Sequence, residues 1–253
     1  VLGWLSNGQT DAMFTSSLAQ TFLYDMQYNH GAIVGGIGMI SSPRVAYTRN
    51  DIISKFLMMK NYIGGKVQQP QVLVFLDADM VWNEDSIHRL ILQVDREESP
   101  IVGGLAFAGR PETGCFSTTH RLVAEKDGTW KGGIELVAYH DLPENAMVKL
   151  GATGGACLAV HRNALSKMAS SATFGLKNGK MNDAIWFEDR GGTWGEDVAF
   201  CLKAQACGIP IWVHTGIEFG HRKMITMGAE FWLDHKQVGE DPTRHGMGEA
   251  ELL

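Results

Sequence analysis

Apolar and polar positions follow two alternating periods over the first hundred residues. Residues 1–5 are apolar and break at Ser6-Asn7-Gly8-Gln9-Thr10, which predicts an opening strand and loop. Residues 11–28 place Met13, Phe14, Leu18, Phe22 and Leu23 near helical spacing. Residues 32–40 read as a second strand whose glycines imply a kink or crowded packing. A second amphipathic helix is predicted over 49–62, with Ile52, Ile53, Phe56, Leu57 and Met59 as its apolar face and Gly64-Gly65 ending it. Then Val72-Leu73-Val74-Phe75-Leu76 runs straight into Asp77-Ala78-Asp79-Met80. Five consecutive apolar residues read as a strand buried on both faces. Asn83 is placed to cap a helix carrying Ile87, Leu90, Ile91 and Val94, Pro100 closes that segment, and 101–105 starts another strand. Strand and helix in turn predict a mostly parallel, doubly wound sheet.

The pattern changes after residue 106. Residues 120–124 and 132–139 read as strands around a turn at Asp127-Gly128, a hairpin signal. Residues 147–150 and 156–160 read as strands flanking the cluster Gly151-Ala152-Thr153-Gly154-Gly155. A short helix is predicted over 162–169, an unpatterned loop over 170–190, and a helix over 197–207 ended by Gly208 and Pro210. Residues 211–213 form one more strand, and the tail from 239 is polar. No repeat or linker interrupts the chain.

Composition narrows the classes. The 253 residues suffice for one large α/β domain or two small ones, and 45% apolar content supports a sizeable core. A net charge of -6 argues against electrostatic wrapping of nucleic acid, while leaving room for a local basic patch. None of Cys115, Cys157, Cys201 and Cys207 forms a Cys-x-x-Cys pair, which argues against structural zinc and for reduced thiols. With no membrane-length apolar run and no leader pattern, the expectation is a soluble chain in the cytoplasm.

Three constellations carry candidate chemistry. Asp77 and Asp79 end an apolar strand, and two buried anions need partners. Oxygen ligands suit a hard cation such as Mg²⁺ or Mn²⁺ held together with substrate phosphates; the bland alternative is an exposed strand-end turn. In Gly191-Gly192-Thr193-Trp194-Gly195-Glu196-Asp197 a loop delivers an aromatic and two acids to a helix start. Either the acids cap the helix, or one serves as general base toward an incoming hydroxyl with Trp194 against a sugar face. In Phe219-Gly220-His221-Arg222-Lys223 the imidazole suits a metal and the cations suit a diphosphate, against the alternative of a solvated basic turn. Arg49-Asn50 offers a further phosphate or base contact, against ordinary capping with Arg49 exposed. The cluster at 151–155 would let backbone amides approach a ligand, but it lacks the Lys and Ser or Thr of a phosphate loop.

Taken together, Phe75-Leu76-Asp77-Ala78-Asp79-Met80, Gly154-Gly155-Ala156-Cys157-Leu158, Gly195-Glu196-Asp197-Val198-Ala199-Phe200-Cys201 and His221 resemble, in residues and order, the metal-dependent glycosyltransferases of the GT-A fold, glycosyltransferase family 2 among them. The likeness spans about residues 1 to 225. It implies a Rossmann-like, mostly parallel central sheet flanked by helices, with a small antiparallel acceptor-side portion. The implied organisation is one domain over 1–238, with a nucleotide-binding half at 1–106, an acceptor-side half at 107–238, and a tail at 239–253. The resemblance implies Mn²⁺ or Mg²⁺ bound by Asp79 directly, by His221 from the far side, and by Asp77 through water unless Asp77 holds the ribose. Ser6, Asn7 and Gly8 would cradle the nucleobase, with Arg49 and Ala78 nearby. Gly154, Gly155 and Trp194 would face donor sugar and acceptor, and Arg222 and Lys223 the diphosphate. Asp197, or else Glu196, would be the base in an inverting enzyme; in a retaining one it would orient substrate. The donor would be a UDP-sugar, with a GDP-sugar as the other choice. The acceptor would be a hydroxyl on a glycan, protein, lipid-linked sugar or modified base. A sugar-1-phosphate nucleotidyltransferase is the rival, but 1–10 lack its glycine-rich, lysine-bearing signature. A binding module without turnover would need no base.

Overall fold

The computed structural model describes residues 1–41, 45–63, 66–110, 114–124, 130–170, 185–188 and 194–223. The strands are β1 (Leu2–Ser6), β2 (Gly36–Ile40), β3 (Asn61–Ile63), β4 (Lys66–Gln68), β5 (Val72–Asp77), β6 (Met80–Val81), β7 (Ile101–Arg110), β8 (Gly114–Ser117), β9 (Thr119–Ala124), β10 (Trp130–Leu136), β11 (Met147–Leu150), β12 (Ala152–Thr153), β13 (Cys157–His161) and β14 (Ile211–His221). The helices are α1 (Ala12–Tyr28), α2 (Val45–Met58), α3 (Ser86–Leu92), α4 (Arg162–Ser170) and α5 (Glu196–Ala206), with a 3₁₀ turn at Tyr139–Asp141.

The main sheet runs β11-β14-β7-β13-β5-β1-β2, with β8 paired to β7 and β6 to β14. β1, β2, β5, β7 and β14 point one way; β13 and β11 run against them. The predicted parallel sheet is therefore present, with β13 inserted antiparallel between β5 and β7. Alternation along β5 explains its place at the centre. Leu73 and Phe75 enter the core under α2, α4 and α5, while Val74 and Leu76 enter the core under α1 and α3. Each such side chain contributes about 1.5–3 kcal/mol by leaving water, as an upper estimate. The small antiparallel portion is the sheet β10-β9-β12.

Several boundaries differ from the sequence reading. The second helix runs Val45–Met58, not 49–62, because the chain turns at Met59 into the β3–β4 hairpin. The second strand starts at Gly36 instead of 32. Asp85, not Asn83, precedes α3 at its N-cap, and Asn83 contributes only its carbonyl, to Ser86 N. β12 lies inside the glycine cluster, held by pairing with β9. β14 extends from Ile211 to His221, far past the predicted 211–213. A register shift between His214 and Glu218 absorbs the weakly patterned residues Thr215 and Gly216 before pairing with β7 resumes. The turn at 127–128, residues 64–65 and 191–193, the tail from 239, and the loop at 170–190 apart from Ser170 and 185–188 lie outside the described residues.

Candidate functional site

The carboxyl edges of β1, β5 and β14 meet beside a cleft of about 530 Å³. Its walls include Ser6, Asn7, Asp77, Ala78, Asp79, Arg222 and Lys223, so two of the three expected cradle residues, the acidic pair and the basic turn share one depression, while Gly8 does not line it. Asp11 also lines it. One of its oxygens caps α1 by accepting from Met13 N at 2.7 Å; the other accepts from Arg222 Nε at 3.0 Å.

The two acids of the opening motif part company. Asp77 is the last residue of β5, Asp79 lies in the tight turn before β6, and each side chain has its own partner. Asp79 Oδ2 lies 2.9 Å from His221 Nε2 and 3.1 Å from Lys223 Nζ. Antiparallel pairing of β14 with β6 sets His221 across from Met80 and so fixes this meeting. Burial opposes the charge on Asp79, but His221 and Lys223 outweigh it and hold the carboxyl below its ordinary value. The hydrogen bond to Asp79 raises His221 in turn.

Asp77 Oδ1 instead accepts from Arg49 Nη2 at 2.9 Å, and Arg49 Nη1 donates to Glu196 Oε1 at 2.7 Å. Arg49 is not the exposed capping residue that one reading allowed: its side chain is 3% exposed and its guanidinium lies over the Phe187 ring at 5.3 Å. Burial disfavours its charge, yet Asp77, Glu196 and Asp197 overcome this and raise its pKa. Burial raises Glu196 above the usual carboxyl range, and Arg49 opposes that rise. Asp77 is thus tied to the guanidinium, whereas Asp79 is tied to His221 and Lys223. Among the described residues, no three His, Cys, Asp or Glu side chains gather closely enough to hold an ion alone. Asp79 and His221 still suit an ion whose other positions are filled by phosphate oxygens and water. His221 Nδ1 lies 3.0 Å from the Phe107 carbonyl; with a proton held there, Nε2 could ligate an ion in place of its present hydrogen bond to Asp79.

The acidic helix start sits on the other side of Arg49. Gly195 is the N-cap of α5, and Glu196 and Asp197 open it. Asp197 Oδ1 accepts from Val198 N at 2.8 Å, and its Oδ2 accepts from Gly155 N at 3.2 Å. Gly154 N donates to the Thr118 carbonyl. The amides of Gly154 and Gly155 therefore serve the fold, not a ligand cradle. A Cβ at Gly155 would collide with the Arg49 guanidinium, which accounts for the glycine there. Trp194 is partly buried against the core that α5 covers.

Two features carry no local sequence signal. Asn50 is spent on structure, not on phosphate or base: its Oδ1 accepts from Trp186 N and Phe187 N, and its Nδ2 donates to the Phe187 carbonyl. This clamp seats Phe187 against Phe200, stacked at 4.4 Å, and beneath Arg49. The second is His120 on β9, half-buried, within the electrostatic reach of Asp197. All four cysteines are free thiols. No described helix is long and apolar enough to cross a membrane.

With this geometry in hand, solved structures identify the architecture. A structure of GalNAc-T7 with UDP, GalNAc and Mn²⁺ overlays 88% of this chain at a TM-score of 0.50 and 10% identity. The fold is GT-A-like. The chain spans 44% of GalNAc-T7, so the overlay speaks for architecture alone. A197 from STIV gives a TM-score of 0.48 at 16% identity over 88% of this chain and 85% of that one. The inositol-1-phosphate CTP transferase from T. maritima gives 0.41 at 8% identity over 94% and 95%. No protein-family model and no curated protein matches the sequence.

Proposed function

We propose that this GT-A-like chain is a metal-dependent glycosyltransferase. It would move a sugar from a nucleoside-diphosphate sugar, a UDP-sugar first, to an acceptor hydroxyl. The observation that carries this reading is the Asp79–His221 pair, flanked by Lys223 at the mouth of the cleft. Mn²⁺ or Mg²⁺ held by Asp79 and His221 would neutralise charge developing on the departing diphosphate. The GalNAc-T7 structure, which contains UDP and Mn²⁺ on a related fold, supports the same choice.

The chain's own groups have separable tasks. Ser6 and Asn7 line the end of the cleft where a nucleobase would lie. Arg222, oriented by Asp11, and Lys223 present positive charge to phosphate oxygens. Arg49 holds Asp77 and Glu196 at a fixed separation, so donor-side and acceptor-side acids keep one geometry. Asp197, anchored by two backbone amides, would serve the acceptor hydroxyl.

A thermal-shift panel of UDP-, GDP-, CMP- and dTDP-sugars, each with Mn²⁺ or with EDTA, tests the reading. Ligand at a hundredfold over Kd stabilises the native state by about 2.7 kcal/mol, roughly 5–11 °C for a chain of this size. At least one uridine or guanosine donor is expected to give such a shift with Mn²⁺, and Asp79→Ala to abolish it. No shift across the panel, or full donor turnover by Asp79→Ala, refutes the assignment.

A further inference from the structure

Asp197 is an awkward base on its own, since both of its oxygens already receive backbone N–H groups. The register of the small sheet brings a second group toward it. His120 pairs directly with Ala152, and Leu122 with Ile134. Residues directly opposite one another project from the same face of a sheet. Ala152 is fully buried in the core that contains Val198, Phe200 and Cys201 of α5, and Ile134 packs against that core. His120 therefore projects toward α5, whose first turn is Glu196-Asp197. Its Nδ1 is sealed from solvent without a hydrogen-bond partner, while the ring as a whole is only half-buried. A proton kept on that sealed nitrogen leaves Nε2 as the ring's available lone pair.

We propose that His120 is the proton acceptor of the transfer reaction, with Asp197 as the anion that stabilises it once charged. This rests on the glycosyl-transfer reading above. In the step, the acceptor hydroxyl loses its proton to the ring's Nε2 as its oxygen bonds to the donor's anomeric carbon. The bond from that carbon to the diphosphate oxygen breaks, and its electron pair leaves with the diphosphate. The imidazolium then returns the proton to solvent. Burial lowers the His120 pKa and Asp197 partly restores it, so the ring is neutral and basic near pH 7. The charged neighbours that bear on this titration are few among the described residues. Asp197 is the charged group that acts on it, with Glu196 and Arg49 paired to each other on the α5 and α2 side; the Arg121–Glu135 pair, one residue along the strand, projects from the other face of the β9–β10 sheet. The Thr118 backbone also favours the protonated ring.

Two measurements on the full chain separate this proposal from the reading beneath it. Imidazole ¹⁵N NMR titration needs no substrate. His120 is expected to titrate below 6.5 and lower still in Asp197→Asn; identical curves in the two proteins overturn the pairing. Transfer to water from UDP-glucose and UDP-N-acetylglucosamine with Mn²⁺, followed by UDP release, tests the base. His120→Gln is expected to keep Mn²⁺–UDP affinity within twofold, to lose at least about a hundredfold in kcat, and to lose the acidic limb of the pH profile. Retained kcat with that limb intact overturns the role. A second variant, His120→Asn, guards against misfolding: it is expected to bind Mn²⁺–UDP normally and transfer as poorly, and parental transfer by it likewise overturns the role. Absence of UDP binding by the unsubstituted protein would instead strike the glycosyltransferase reading, leaving the NMR arm to decide the pairing.

Discussion

Replacing Arg49 by Met should expose the energetics of the site most directly. Met keeps an apolar side chain over Phe187 but removes the charge between Asp77 and Glu196. Losing one partner of a buried ion pair costs about 3–5 kcal/mol, because the remaining charge is stranded. Asp77 and Glu196 are 28% and 26% exposed, and water there screens the loss toward the lower figure. A deficit of about 3 kcal/mol lowers Tm by roughly 6–12 °C in a chain of this length. The pH dependence has a definite sign. Burial already raises Glu196 above 4.5 in the native state, and losing Arg49 lets it rise further. A carboxyl with a raised native pKa binds more protons folded than unfolded, so stability increases as pH falls through that native value, down to about the unfolded 4.5. Melting followed by circular dichroism at pH 7.5 and pH 5 should therefore show the larger deficit at pH 7.5. Arg49→Lys should fall between parent and Met variant, since one ammonium cannot span both acids with a planar fork. A Met variant within 2 °C of the parent at pH 7.5, or a deficit that widens on acidification, would refute the bridge as a stabilising element.

Two further substitutions probe its surroundings. Asn50→Ala removes three hydrogen bonds and leaves the Trp186 and Phe187 amides unpaired, which should cost about 2–4 kcal/mol in urea denaturation and speed proteolysis within 185–188; parental stability and cleavage would show that the clamp is dispensable. Gly104→Ala would set a Cβ 2.5 Å from the Phe219 ring and 3.1 Å from Cys157 Sγ, an overpacking expected to cost about 1–3 kcal/mol, and an unchanged denaturation midpoint would show that the core there can yield.

Much of this architecture was legible in the sequence where a local pattern and its long-range consequence coincide. The first helix begins one residue after its predicted start because Asp11 both breaks the strand pattern and caps the helix. β5 was legible because a run buried on two faces needs no alternation. β14 was under-read because Thr215 and Gly216 look like a terminator, whereas they fill a bulge within the strand. The glycine cluster invited a ligand-cradle reading, yet Gly155 answers to Arg49, a neighbour that its spacing does not announce. The meeting of Asp79 with His221 was expected only through the resemblance to GT-A glycosyltransferases, and the structure brings the two within 2.9 Å. The divorce of Asp77 from Asp79 was not expected, because it depends on a guanidinium supplied by α2 and shared with α5. His120 had no motif around it, and only strand register aims it at α5.

The insertion of β13 between β5 and β7 has a consequence for how the chain is made. β5 and β7 have no direct pairing, so residues 72–77 present an open edge until residues 157–161 have been synthesised. Residues 1–106 therefore cannot complete their own sheet as an early folding unit; they wait on a strand from the second half. Pairings between distant segments slow folding and leave strand edges exposed to other chains meanwhile. β14, which carries His221, closes last against β7. The cleft therefore takes shape only once β14 has emerged and paired with β7, because Arg222 and Lys223 of its walls follow that strand.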